Sequence, residues 1–240
     1  MNVDLIVPLS PGDPERDAAW EFVSGFYERM HPGLTVTVGR DTEGWWERRG
    51  WSKGYAIADG AKSTSASIMV IADADVIVSP EALGYSIIAV MNGAAWSMPH
   101  GDVYRLSRRA TNDVVYLKGE TLDVGAKPPL KWTALPPHPG PPGGGIVVLT
   151  RSAYETVGGV DPRFVGFGGD DISFARALDT LVGPCERFNY PMTHLYHERT
   201  PRRKGNRGSA ANEALAARYM LADGDKDAMR AIVAEFKVTA

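Results

Sequence analysis

The chain of 240 residues contains one cysteine, no excess of positive charge and no apolar run approaching the roughly 20 residues of a membrane span. A lone Cys185 excludes an intramolecular disulfide and fits a reducing compartment, where such a residue is a small buried apolar group without a catalytic duty. Residues Met1 to Pro8 lack both the basic flank and the long apolar core of a signal peptide. The chain is therefore expected to be soluble and cytoplasmic, with any membrane anchor lying outside it. A net charge of −3 provides no global basic field for nucleic acid, so any contact with a polyanion has to be local. There is also no Gly-x-Gly-x-x-Gly after the first strand and no Gly-Lys-Ser/Thr loop, which argues against a Rossmann dinucleotide site and a P-loop.

What is present is a 44% apolar content, enough for one large core. Residues 3–8 read as a strand, and Asp13 as the N-cap of a helix with Pro14 at its first position. Phe22, Val23, Phe26, Tyr27 and Met30 recur at helical spacing over 14–30. Leu34 to Val38 is β-branched enough for a second strand, a helix is expected around 52–62, and a third strand over 68–72. Ser79-Pro80-Glu81 opens a helix whose buried side is expected to carry Leu83, Ile87, Ile88 and Met91. Residues 94–98, 114–117 and 146–149 read as strands. Ser152 and Glu155 have capping-box spacing for a short helix that Gly158-Gly159 stops, and Ile172, Ala175, Leu178 and Leu181 mark another. Two alanine-rich helices, 210–221 and 225–237, close the chain as packing and solvated surface. This alternation predicts an α/β fold with a mainly parallel sheet, its ligands gathered beyond the carboxyl ends of the strands.

The chemistry is concentrated at those ends. The apolar run Ile68 to Ala72 stops at Asp73-Ala74-Asp75, two carboxylates able to meet a metal and a phosphate. Pro8-Leu9-Ser10 and Gly39-Arg40-Asp41 leave neighbouring strands on the same rim, and Lys53 at the start of its helix either reaches a phosphate or is an ordinary solvated lysine. A stiff proline-rich loop, 136–145, ends in Gly143-Gly144-Gly145, where backbone can pass close to a ligand. Phe167-Gly168-Gly169-Asp170-Asp171 sets two carboxylates at a helix N-terminus; one N-cap needs only one of them, so Asp170 is divided between cap and site. His194 and His197 are three apart, but Pro191 and the β-branched and aromatic neighbours favour an extended segment, so only one of the two is expected to meet the metal. Gly44 to Trp51 is an aromatic, basic connector that either covers a core edge or forms a flap. Arg105, Arg108 and Arg109 read as a solvated face, and 199–209 as a basic loop attracted to phosphate.

With these residues in place, the chain resembles the GT-A glycosyltransferases, specifically the branch of the β-1,4-galactosyltransferases and the galactosyltransferase-like half of bacterial chondroitin polymerases. The resemblance spans roughly residues 3–207 and is most specific from Gly144-Gly145 to Asp171, similar to the family's Gly-Gly strand start and "Gly-Trp-Gly-Gly-Glu-Asp". It implies a single GT-A domain over 1–240: a nucleotide-binding half (1–80), an acceptor and catalytic half (81–209) and C-terminal helices (210–240). It further implies that Pro8 and Ser10 line the nucleotide, Asp73 meets its sugar or ribose, and Asp75 binds Mn²⁺ (or Mg²⁺) bridging the diphosphate. Phe167 stands where the family has a sugar-contacting tryptophan, Asp170 where it has a glutamate, and Asp171 matches the catalytic base. His197 matches the late metal ligand, with His194 a rival; the family's Met-X-X-His spacing is not met by Met192 and His194, which are only two apart.

The expected reaction is a metal-dependent, inverting transfer of a hexose or N-acetylhexosamine from a UDP-sugar to an acceptor hydroxyl. A divalent ion offsets the charge of the departing diphosphate, while one carboxylate takes the acceptor proton. The position of Asp171 at a helix N-terminus is expected to lower its pKa and keep it ionised. A nucleotidyltransferase on a similar sheet and a non-catalytic nucleotide-sugar-binding module are the rival readings. The acceptor stays open between a glycan, a protein, a small molecule and a modified DNA base.

Overall fold

The computed structural model describes residues 2–10, 14–41, 50–116, 127–198 and 209–236. Asp13, residues 42–49 of the aromatic connector and residues 199–208 of the basic loop lie outside them. In chain order the elements are β1 (Val3–Pro8), α1 (Pro14–Met30), β2 (Thr35–Gly39), α2 (Lys53–Lys62), β3 (Ile68–Ala72), β4 (Val76–Ile77) and α3 (Pro80–Met91). There follow β5 (Trp96–Met98), β6 (Asp102–Arg105), α4 (Arg108–Tyr116), β7 (His138–Pro139), β8 (Ile146–Thr150) and α5 (Arg151–Thr156). The chain ends with α6 (Asp170–Leu181), β9 (Cys185–Arg187), β10 (Met192–His194), α7 (Ala210–Leu221) and α8 (Lys226–Ala234).

Strand alternation explains the layering. Leu5, Val7, Ile68, Val70, Ala72, Ile146 and Val148 point into one apolar cluster, built with α1 and α3. Ile6, Met69, Ile71, Val147 and Leu149 point into a second, built with α2, α6, α7 and α8. Both faces of the central sheet are thus covered, which is why β1, β3 and β8 read as continuous apolar runs. Strand order is β2-β1-β3-β8-β5-β9. The β1–β2, β1–β3 and β5–β9 pairs are parallel, whereas β8 runs antiparallel to both β3 and β5. A smaller sheet, β4-β10-β6-β7, which periodicity does not reveal, flanks it.

The antiparallel β8 decides where the site is assembled. Ala72 pairs with Ile146, so the start of β8 lies beside the end of β3, and the Asp73 amide donates to the Gly145 carbonyl at 2.9 Å. The glycine loop and the aspartates are thereby brought to one rim.

Several sequence expectations shift. Residues 114–117 were expected as a strand, yet 114–116 lie in α4, because Ala110, Thr111 and Val114 share a buried helical face and Ser107 Oγ accepts from the Ala110 amide at 3.2 Å. Packing overrides the β-branched local preference. The cap of α5 is Thr150, whose side chain accepts from the Ala153 amide, not Ser152. On α3 the buried stripe is Ala82, Leu83, Ser86, Ala89 and Val90, while Ile88 and Met91 are exposed. Met30, at the end of α1, is exposed as well.

Helix α2 lies so close to β2 that a Cβ on Gly39 would stand 1.9 Å from the Ala56 carbonyl oxygen and 2.9 Å from the Gly60 nitrogen. Both obstacles are backbone, so Gly39→Ala has to push the helix away. A loss of about 3 kcal/mol of folding stability is expected, read as a lower urea midpoint at unchanged m-value.

Candidate active site

Asp75, His194 and His197 meet because β4 pairs antiparallel with β10, Val76 opposite His194, and the Leu195 amide donates to the Asp75 carbonyl at 2.8 Å. His197 Nε2 is 3.2 Å and His194 Nε2 3.7 Å from the Asp75 carboxylate. One ligand atom from each residue lies within 4.8 Å of the others. Both histidines, not one, stand beside Asp75. After His194 the chain leaves the strand and turns back, so the ring of His197 stands 5.4 Å from that of His194, centroid to centroid.

Second contacts orient these rings. His194 Nδ1 is 2.6 Å from the Leu195 carbonyl, which can only accept, so Nδ1 carries the proton and the Nε2 lone pair faces Asp75. A lone pair opposite a carboxylate is an arrangement that a cation relieves. His197 Nδ1 is 2.9 Å from the Glu198 carbonyl and 3.2 Å from Arg16 Nη2. Burial favours neutral Asp75, but His194 and His197 when protonated, with the Arg16 and Arg105 guanidiniums, outweigh it and hold the carboxyl below the usual range. Burial also keeps the His194 imidazole below its ordinary range and so neutral, the form that binds metal. The chemistry of the donor set, two imidazoles and one carboxylate, fits a divalent ion of the Mn²⁺ type better than Mg²⁺, which prefers oxygen ligands. An open cleft, bounded in part by Arg105, Leu135 and Glu198, runs past the histidines.

The second cluster forms around Lys53, the first residue of α2. Its ammonium lies 2.6 Å from Asp73 and 2.8 Å from Asp171. These three residues, with Gly143, Gly145 and Phe174, line a small pocket. Helix α6 is capped by Gly169 at φ +97°, which has no side chain, so Asp170 and Asp171 stand in the first turn after the cap. Burial pushes Asp171 up to about 7; Lys53 opposes the shift and Asp170 and Asp73 add to it. The expected lowering by the helix terminus is overturned, since apolar walls and two neighbouring carboxylates outweigh a terminal dipole. Asp170 is raised for the same first reason, burial, with Lys53 and backbone amides opposing. Lys53 is held well above its usual range: burial works against its charge, but Asp171, Asp73 and Asp170 prevail.

Glycine is required where the loop touches the base. A Cβ on Gly144 would lie 3.1 Å from Asp171 Oδ2, and one on Gly143, at φ +74°, 2.3 Å from the Asp171 carbonyl oxygen. Pro8 ends β1 and is buried, and Ser10 follows it half-buried. Arg40 is exposed, its amide donating to Asp59. Phe167 is half exposed, its carbonyl accepting from Asn212 at 3.2 Å.

Sequence reasoning missed two positioning residues. Arg16 stands against His197. Asn212, buried on α7, accepts from the Val165 amide and donates to the carbonyls of Val165, Phe167 and Gly168, fastening the loop that delivers Asp170 and Asp171. Its signal was an amide on the helical face that also carries Leu215 and Tyr219, otherwise apolar.

The chain is similar to known proteins in one segment and in fold. The family described as the N-terminal domain of galactosyltransferase matches residues 140–199, the segment that runs from the glycine loop through Asp171 to His197. The catalytic domain of Drosophila β1,4-galactosyltransferase 7, solved with xylobiose, superposes with a TM-score of 0.50 at 15% identity, over 90% of this chain and 79% of that one. Glucosyl-3-phosphoglycerate synthase from Mycobacterium tuberculosis, solved with Mn²⁺, UDP and glucosyl-3-phosphoglycerate, gives 0.45 at 13% identity, over 92% and 79%. No curated protein sequence matches the chain. The chain shares the GT-A fold of the galactosyltransferase 7 catalytic domain. Its residues 140–199 match the galactosyltransferase family model. Among the described residues, no helix is long and apolar enough to cross a membrane.

Proposed function

We propose that the protein transfers a hexose or N-acetylhexosamine from a UDP-sugar to an acceptor hydroxyl in one inverting displacement. The observation that carries this is the pairing of two clusters on one rim: a three-ligand cation site at Asp75, His194 and His197, and a raised carboxylate, Asp171, beside Lys53 and the glycine loop. A divalent ion bound by the first cluster supplies positive charge against the departing diphosphate. Asp73, two residues before Asp75 and paired with Lys53, is the group placed to address the sugar or ribose. Pro8 and Ser10 at the end of β1 line the nucleotide. Asp171 accepts the proton of the acceptor hydroxyl as its oxygen attacks the anomeric carbon, and a value near 7 makes it a stronger base than an ordinary aspartate. Gly144 leaves room for that encounter, and Phe167 at the lip is the candidate contact for the sugar.

The test is a panel of UDP-sugars incubated with the protein and Mn²⁺, followed by measurement of UDP. Slow UDP release from one donor is the expected result. Turnover of nucleoside triphosphates instead indicates a nucleotidyltransferase, and binding of UDP without release from any donor indicates a binding module. Mass spectrometry of a lysate supplied with the preferred donor then identifies the acceptor.

A further inference from the structure

Lys53 faces three site carboxylates at once, Asp73, Asp171 and Asp170, and its side chain is only 14% exposed. It reaches Asp73 from one side and Asp171 from the other, so its ammonium links the end of β3 to the first turn of α6. Its backbone is fixed as well: a Cβ on the adjacent Gly54 would lie 2.6 Å from the Val160 carbonyl oxygen, and Ser52 Oγ donates to the Pro162 carbonyl at 2.9 Å. A lysine so held and so paired is poorly placed to swing toward a diphosphate.

We infer that Lys53 is a positioning residue of the transfer reaction, which fastens the Asp171 carboxylate toward the acceptor and keeps it ionised, and is not a phosphate ligand. The inference rests on the proposed transfer and assigns the residue that governs its base. Among the described residues, the charged groups facing Asp171 are Lys53 from α2, Asp73 from the β3 exit and Asp170 from its own helix. Among them Lys53 alone favours the ionised base. Two carboxylates against one ammonium leave the balance fine enough that loss of the ammonium is felt in full. Lys53 Nζ contacts Asp171 Oδ1 at 2.8 Å, and the other oxygen, Oδ2, faces Gly144; Oδ2 is the oxygen the inference assigns to the acceptor.

The experiment follows UDP release from saturating UDP-galactose, or the donor the panel selects, with Mn²⁺ across pH 5 to 9.5, for wild type, Lys53→Met and Lys53→Arg. In Lys53→Met the acidic limb of the rate is expected to move up by about 1 to 3 pH units, with a donor KM within about twofold of wild type. Lys53→Arg, which keeps the charge, returns the limb toward its wild-type position. A limb that stays in place while the donor KM rises tenfold would overturn the inference and make Lys53 a phosphate ligand. Carboxyl ¹³C NMR titration of Asp171, in wild type and Lys53→Met, reads the same shift without turnover, with Lys53→Gln as the substitute if the methionine variant does not fold. A wild type that releases no UDP from any donor defeats the transfer reading, while an NMR titration unchanged by the substitution defeats the Lys53 inference alone.

Discussion

Asp171→Asn is expected to lower UDP-sugar turnover by about 10²- to 10⁴-fold, the range over which a positioned general base acts. The change is nearly isosteric, so the amide keeps its place beside Gly144 and UDP binding in the presence of Mn²⁺, measured by calorimetry, should stay within about threefold of wild type. Wild type should also show an acidic limb that the variant lacks. A base whose carboxyl is pushed up to about 7 is protonated and idle below that pH, gains activity as the pH rises through it, and levels off above. The residual rate of the asparagine variant should be flat over the same interval. Turnover equal to wild type, or a limb that survives the substitution, removes Asp171 from the role of base and returns attention to Asp170.

The sequence made the strands legible wherever both faces are buried. Ile68 to Ala72 reads as a strand because five consecutive residues are apolar and are followed by carboxylates, and all five are buried. Residues 94–134 were less transparent. The helix α4 carries Val114, Val115 and Tyr116, which suit a strand in isolation and form a helix because one face packs on α1. The small sheet was not legible either, since its strands are only two to four residues long and are defined by partners distant in sequence.

In the site, residue types could be read but not their partners. Asp73, Asp75, Asp171 and the two histidines were visible as chemistry. That Lys53 would face aspartates could not be inferred without knowing that α2 abuts the first turn of α6. The histidine pair held an unused signal. The Met-X-X-His spacing of the galactosyltransferase segment is matched by His194-Leu195-Tyr196-His197, with histidine in the place of methionine. The assumption that an extended segment offers one ligand hid it, because β10 ends at His194 and the chain bends immediately afterwards. Asp171 shows the reverse limit: its helix-terminal position was evident, but the burial that dominates its protonation comes from tertiary packing.

His194→Ala and His197→Ala should each weaken Mn²⁺ binding by at least about 100-fold, a loss at the upper end of that seen for groups that only support a ligand. Asp75→Ala should do as much, because it removes the anionic member of the three-residue group and leaves only the two imidazoles. Titration with electron paramagnetic resonance of free Mn²⁺ reads this directly, with UDP present to complete the coordination. Thermal unfolding gives an independent check. Ligand binding to the native state stabilises it by RT ln(1 + [L]/Kd), so Mn²⁺ at 100 times its Kd adds about 2.7 kcal/mol to wild type and close to nothing to the variants. The two histidines should differ in one respect. His194 is buried with its Nδ1 committed to the Leu195 carbonyl, so its removal also opens a gap beneath β10 and should lower the metal-free melting temperature. His197 lies beyond the end of β10 and borders Arg16, so its removal should affect metal response with little change in the metal-free protein. If both variants kept the wild-type response to Mn²⁺, the cation site would have to be sought elsewhere, and the acidic rim of Asp73, Asp170 and Asp171 would be the next place to test.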